Sequence, residues 1–534
     1  MSRLITSAFR SLALLFAMVG APMHAQAQEA APFDIFEYVI EGNSVLPAEV
    51  IERAVYPFLG EKRTADDVNN AAQALEKAYQ DAGYLTVAVG IPEQAVNTGV
   101  VRLEVGEGRV ERLKVTGAEY TLPSRVKEQV PSLAQGEVPH FPEVQEDLGR
   151  VGRNADLRVT PLLQPGRTPG AVNVELRLEE KSPLHGSVEL SNKRSADTDA
   201  GRIEASIRYD NLWQRRHSIG VSYFAVPGNR DQIEVWGLNY SAPLDSSFIA
   251  AFFARSNSNI PTLFDTTSLG SGDVIGLRWI KPLPARGLGI SHSFSLGLDW
   301  KDNKQDTRSL GGTSFNLSQP VKYWVMSGQY SLTIPFESGF RLRLGTTVNA
   351  GSTAMNERYI DCNGRRDEQF NCRRAGTNPG FIAGRFDIEA ALPLGGGWGV
   401  TADIDVQRSN EPLVNSEQFS AGGFDSVRGY LESERLGDEG ERVRLELVTP
   451  AWAVAPGYGL RGRLFYDWAG LRIRQALSGQ SPRAALEGTG IGLRLDAPQG
   501  FSLDADWALA LRDGAVGRTE KGDSHLLVRL GYEF

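Results

Sequence analysis

From Leu184 to the last residue, apolar and polar side chains alternate in runs of about nine to twelve, separated by Gly, Asn, Asp, Ser and Pro. In one run Ile203, Ala205, Ile207 and Tyr209 face one way, and Arg202, Glu204, Ser206, Arg208 and Asp210 face the other. In a second, Trp398, Val400, Ala402, Ile404 and Val406 oppose Thr401, Asp403, Asp405 and Gln407. In a third, Phe501, Leu503, Ala505, Trp507 and Leu509 oppose Ser502, Asp504 and Asp506. A period of two means strand, because successive side chains of a strand point to opposite faces. Such strands fit a soluble sandwich, whose apolar faces meet each other. They equally fit a closed barrel, whose apolar face meets lipid and whose charged face lines a lumen.

Four observations favour the barrel. The N-terminus carries Arg3 and Arg10, a short apolar stretch over Leu12–Gly20 and the small-x-small triplet Ala25-Gln26-Ala27. These are the three parts of a secretory signal peptide, expected over 1–27. Run length matches a tilted membrane span. Tyr209, Trp236, Trp279, Trp398, Trp468 and Trp507 lie near run ends, as in an interfacial girdle. The chain also ends on a strand with Leu526, Val528, Leu530, Tyr532 and Phe534 on one face. Sixteen runs are counted between 185 and 534, among them 397–408, 440–449, 459–470, 487–496, 500–511 and 524–534. An even count suits closure of an antiparallel bacterial barrel. No run reaches 18 apolar residues, which excludes a helical membrane protein. The net charge of -9 argues against a nucleic-acid partner.

Residues 34–181 read differently. Val101-Arg-Leu103-Glu-Val105 recurs as Val174-Glu-Leu176-Arg-Leu178, and Ile40-Glu-Gly42 is echoed by Val115-Thr-Gly117. Two copies of one α+β unit are expected, over 34–107 and 108–181, each ordered strand, helix, helix, strand, strand. In the first copy Thr64 and Asp67 form a capping-box-like pair ahead of a stripe of Val68, Ala71, Ala72, Leu75, Ala78 and Tyr79, and Gly83 stops the helix. In the second, Phe141, Val144, Leu148 and Val151 make a shorter stripe. These stripes are read as core.

Cys362 and Cys372 lie in a polar stretch read as a small exposed loop. Export favours a disulfide between them, with two free thiols as the alternative. No G-x-S-x-G elbow, H-E-x-x-H helix, CxxC pair or P-loop occurs, and the histidines are scattered. No enzyme activity, metal or cofactor is therefore expected.

The paired units resemble the POTRA domain, a periplasmic module of that element order. The longest loop after the cysteine stretch, 409–439, contains Val427-Arg428-Gly429-Tyr430, preceded by Gly422-Gly423-Phe424. Two strands on comes Phe465-Tyr466-Asp467-Trp468-Ala469-Gly470. This pair of motifs resembles the POTRA-plus-barrel outer-membrane superfamily, in which V-R-G-F/Y lies between strands eleven and twelve and F-x-D-x-G lies on strand thirteen. The resemblance implies that the loop folds into the lumen and that Arg428 meets Asp467. Alternation points Phe465 and Asp467 inward, with Arg461 and Arg463. Ala469 stands where the stricter pattern has glycine, so a looser backbone approach is expected there.

Two units with sixteen strands resemble the two-partner secretion transporters, the TpsB or hemolysin-activator type. That family implies export of one large unfolded partner protein, an adhesin or hemolysin-like exoprotein, without nucleotide hydrolysis. It also implies outer-membrane lipid and the barrel assembly machinery as partners, with Tyr532 and Phe534 as the assembly signal. The alternative is an outer-membrane assembly or insertase factor. An edge strand such as 84–91 is the candidate surface for the exported chain, unless the edges are protected and the units are spacers. Only Gln28–Phe33 separates the cleavage site from the first strand, so no plug helix is expected, and the 409–439 loop is expected to close the pore.

Overall fold

In this computed structural model the described residues are 32–534, save 97, 153–155, 169, 197, 258–270, 285–288, 305, 311–312, 363 and 477–479; over 306–310 and 313–318 only the backbone is described. The signal-peptide segment, 1–27, lies outside the described residues. The chain divides into two compact units, one N-terminal and mixed, the other running from Glu180 to Phe534 with two short earlier segments.

In the N-terminal unit the first sheet has Ala88–Gly90 and Glu37–Glu41 flanking Val100–Gly106; a further pair, Phe33–Ile35 with Gly60–Arg63, lies beside it. Helices Ala48–Val55 and Ala65–Asp81 cover this sheet. Thr64 accepts from the Asp67 amide while the Asp67 side chain accepts from the Thr64 amide, so two free helix-end donors are satisfied reciprocally. The Thr64 amide holds the Asp67 carboxyl below its usual range. Val68, Ala71, Ala72, Leu75 and Tyr79 are buried, against Ile35, Leu103 and Val105 among others. Replacing Thr64 with alanine should cost about 1 kcal/mol. Hydrogen exchange of the full-length protein should then show about fivefold faster exchange confined to the 65–81 amides.

The second sheet repeats the layout, with Val110–Thr116 and Leu157–Pro165 flanking Val172–Glu180, and helices Pro123–Glu128 and Phe141–Val151. The repeat extends to single backbone atoms. Gly42 and Gly117 both have positive φ, and a Cβ on either would sit 2.3 Å from a carbonyl oxygen, that of Val105 or of Leu178. Two expectations are corrected. The segment 84–91 is strand only over Ala88–Gly90, because Tyr84 still bonds back to the end of the preceding helix at Tyr79. Phe141 is 45 % exposed, because it opens its helix instead of standing on the buried stripe with Val144 and Val151.

The second unit is a closed antiparallel barrel of sixteen strands. They are β1 Leu184–Ser191, β2 Arg202–Leu212, β3 His217–Ala225, β4 Glu234–Leu244, β5 Ser247–Ser256, β6 Gly272–Leu283, β7 Ser291–Asn303 and β8 Val321–Pro335. There follow β9 Arg341–Ala350, β10 Ile382–Pro393, β11 Gly399–Ser409, β12 Glu439–Val448, β13 Tyr458–Arg472, β14 Arg483–Asp496, β15 Phe501–Ala510 and β16 Ser524–Glu533. A short strand, Trp452–Ala455, adds to β13 beyond β12. Each wall strand pairs with its sequence neighbour, and β16 closes on β1 from Arg529 opposite Ser191 to Glu533 opposite Ser187.

Alternation separates the two faces as lipid and lumen require. Leu464, Leu503, Trp507, Leu526 and Leu530 are exposed on the outside, whereas Phe465, Asp467, Asp504 and Asp506 are buried inside. The Phe534 backbone pairs with Gly186 in both directions, and its ring fills the space that a side chain at 186 would take.

The stretch around the cysteines is not the exposed loop expected from its polarity. It forms helix Thr353–Asn356, a hairpin of Tyr359–Cys362 with Arg365–Glu368, and helix Gln369–Arg373. Cys362 and Cys372 are joined as a disulfide. Phe370 and Phe381 are buried with Val321 and Tyr323 of β8 and with Leu413 and Val414, so the segment packs into a small core shared with the wall and the 409–439 loop.

Candidate functional site: the lumenal loop

The segment between β11 and β12 turns back into the barrel. A two-stranded hairpin, Phe419–Ala421 with Arg435–Gly437, stiffens it, and Gly422, Gly423 and Gly429 supply the positive φ values of its turns. The loop carries Val427-Arg428-Gly429-Tyr430 to the wall formed by β12 to β15.

Arg428 is 1 % exposed and is met by carboxylates from three strands. Its Nε and Nη2 donate to the two Asp467 oxygens on β13, at 2.7 and 2.8 Å, and its backbone amide donates to the same carboxylate at 3.1 Å. Nη1 lies 2.7 Å from Glu446 on β12 and 3.4 Å from Asp506 on β15. The guanidinium plane sits 3.5 Å from the centre of the Phe465 ring. This is a forked, charge-assisted pair combined with stacking, which lysine cannot reproduce. Arg463 pairs with Asp504 and Asp506 at 2.8 and 2.7 Å, and Arg444 lies 3.6 Å from Asp467. With Arg494, 3.2 Å from Asp504, four arginines face four carboxylates, and the burial cost of each charge is offset by its neighbours. Arg461 stays half-exposed beside Asp496.

The space for this arrangement comes from β14. Gly488, Gly490 and Gly492 share one face. A Cβ on Gly488 would sit 2.0 Å from the Arg428 carbonyl oxygen, one on Gly490 2.5 Å from the Phe465 ring, and one on Gly492 1.8 Å from Asp506. Gly429 lies against the β15 backbone at Leu509 and Ala510. The Tyr430 hydroxyl stands among the backbone groups of Glu487 and Arg512, 2.9 and 2.8 Å from their carbonyls and accepting from both amides. Ala469 stands at the loop–wall contact. Its methyl group is fully buried against Val427, Tyr430 and Leu486, a contact that glycine would lack.

Three further attachments surround the Arg428 site. Asp425 lies 2.7 Å from Arg529 on β16 and 3.0 Å from Lys193 after β1, while Phe424 stacks under Arg529 at 4.1 Å. On the opposite wall Glu417 accepts from Lys301 of β7 at 2.6 Å and from the Tyr323 hydroxyl of β8 at 2.7 Å, all three buried. At the neck, Asp438 accepts from the amides of Leu413 and Arg474, from the Gln418 side chain and from both Nη atoms of Arg374. These attachments escaped the sequence reading. The Gly488, Gly490 and Gly492 spacing was the one legible signal, since glycines at period two clear one whole face of a strand. The seated loop leaves a polar lumenal cavity of about 810 Å³, lined by Arg278, Lys301, Arg343, Asp387, Asp403 and Arg442 among others.

Comparison with known proteins agrees with this geometry. Residues 33–108 match the POTRA domain of ShlB type. Residues 362–495, which hold the loop and β13, match the haemolysin secretion/activation protein family ShlB/FhaC/HecB. The chain is 22% identical over 452 residues to the outer membrane transporter CdiB of Dickeya dadantii (strain 3937), covering 82% of this chain and 76% of that one. It is 21% identical over 531 residues to the heme/hemopexin transporter protein HuxB of Haemophilus influenzae (strain 86-028NP), covering 94% and 87%. The solved structure of CdiB from Escherichia coli shares the fold, with a TM-score of 0.62 at 18% identity over 96% of this chain and 93% of that one. Fold and loop together define an outer-membrane transporter whose N-terminal POTRA region lies in the periplasm. Within that class the chain is a two-partner secretion transporter.

Proposed function

We propose that this protein exports one exoprotein, unfolded, through the barrel to the cell surface, with no nucleotide hydrolysis and no catalytic chemistry. The reading takes 34–107 and 108–181 as two periplasmic POTRA domains that capture the partner as an extended strand. Leu157–Pro165 is the longer free edge for that capture, with nine residues against three in Ala88–Gly90. The Arg428 loop is the moving plug, and folding of the partner outside supplies direction. Tyr532 and Phe534 serve as the signal read by the barrel assembly machinery.

The observation that carries the reading is the seating of Arg428. A buried ionic network on one wall holds a loop that lies across a charged lumen, and on this reading the network is a releasable latch, since buried ion pairs add little net stability over alternatives. The test is to delete the chain and follow the large exoproteins that the cell releases to its surface and medium. Export of one of them is expected to stop and to return on complementation, while other barrel proteins reach the outer membrane in normal amounts. Continued export of them all would refute the reading. A general loss of barrel proteins would point to an assembly factor.

A further inference from the structure

The outside of the barrel carries an arginine cluster that neither strand pairing nor the lumen explains. Arg472 on β13 and Arg483 on β14 stand directly opposite each other in the register. Like charges at facing positions weaken a ladder. Both belong to the outward face, since Leu464 and Tyr466 of that face are exposed while Phe465 and Asp467 between them are buried. Arg472 and Arg474 share the Glu439 carboxylate, at 3.4 and 2.6 Å. Arg408 on β11 pairs with Glu441. Arg483 has no carboxylate partner among the described residues. At the groove itself three arginines, Arg408, Arg472 and Arg483, stand against Glu439 and Glu441, a local positive surplus in a chain whose net charge is -9.

These side chains border an open groove of about 560 Å³, lined by Arg408, Glu441, Trp468, Gly470, Arg472 and Arg483. Its floor is low because Gly470 and Ala485 face each other across β13 and β14. Trp468 stands two residues further into the membrane span, at the level of an interfacial aromatic. The orientation follows from the periplasmic N-terminal region. It leads directly into β1, so odd-numbered strands run outward, and β13 ends where β14 begins, at the external surface.

We propose that this groove binds the phosphorylated sugar headgroup of an outer-leaflet glycolipid. Arg472 and Arg483 grip one phosphate from two strands, Arg408 closes the far side, and Trp468 packs beneath the sugar. The positive surplus favours a phosphate anion, and guanidinium forks suit its oxygens. Glu439 and Glu441 orient Arg472 and Arg408 without cancelling the excess. A bound phosphate also relieves the Arg472–Arg483 repulsion.

The test uses the full-length protein in detergent and bisphosphorylated lipid A as the probe, with retention read by native mass spectrometry and titration. Binding is expected to weaken at least about tenfold in Arg472→Gln/Arg483→Gln. It should be unchanged in Arg343→Gln/Arg461→Gln, which removes equal charge from the lumenal face. If the double variant loses its heat-modifiable folded band, Arg483→Gln alone serves, since that side chain anchors no ion pair, and a several-fold loss is expected. Dephosphorylated lipid A should bind as weakly as the double variant does. Parental affinity in the folded variants, or complete displacement of the lipid by equimolar inorganic phosphate, would overturn the proposal.

Discussion

Arg428→Ala will leave a barrel that assembles in normal amounts but leaks ions and no longer secretes. The substitution removes the fork on Asp467, the contacts to Glu446 and Asp506, and the stack on Phe465. Two carboxylates that are 0 % exposed, Asp467 and Asp506, then lose their main or shared cation. Removing one partner of a buried pair costs about 3–5 kcal/mol, which shifts the seated-to-unseated ratio of the loop by roughly two to four orders of magnitude. The wall should survive, because its strands are held by backbone ladders that Arg428 does not touch. Planar-bilayer conductance reads the leak, and the amount of partner in the medium reads secretion. Arg428→Lys should resemble the alanine variant more than the parent, since a point charge has neither fork nor plane. Unaltered secretion from a normally folded Arg428→Ala barrel would remove the loop from the mechanism.

A second substitution reaches the same end without touching a charge. Gly488→Val places a Cβ 2.0 Å from the Arg428 carbonyl oxygen, a backbone atom inside a hydrogen-bonded loop that cannot turn aside. Valine suits a strand better than glycine does, so β14 itself should hold. The loop is then expelled with every ionic partner intact, and the channel should leak as the Arg428→Ala channel does. Because both changes act on one equilibrium, the double variant should be little worse than either alone. A closed channel in Gly488→Val would show that the loop does not need this cleft to seal the pore.

The wall of this barrel is written plainly in the sequence for a physical reason. Lipid on one side and charged lumen on the other force a period of two over nearly every strand, so the ends of the runs 397–408, 459–470 and 524–534 differ from those of β11, β13 and β16 by two residues at most. Alternation likewise turns Phe465 and Asp467 inward, and both are buried there. The connections carry no such signal. The strands of the hairpin that holds Cys362 have four residues each, too short for a period to declare itself, and their acidic side chains accept from backbone amides, Asp361 from Gly364 and Glu368 from Phe370 and Asn371. The pairing of Arg428 with Asp467 is readable only through a motif resemblance. The Glu417–Lys301 and Asp438–Arg374 pairs join positions 116 and 64 residues apart. Which of the many lumenal charges meet depends on how the loop lies across the cylinder, and no local pattern records that.

Asp438 has a mechanical consequence. Its one carboxylate holds Leu413 and Gln418 on the incoming arm, stands itself on the outgoing arm, and is gripped from the external side by Arg374 and by the amide of Arg474. The stem is therefore crossed and clamped at its root. On the proposed mechanism a displaced tip would turn about that fulcrum, like a valve flap, with β11 and β12 keeping their register and the cylinder staying sealed to lipid.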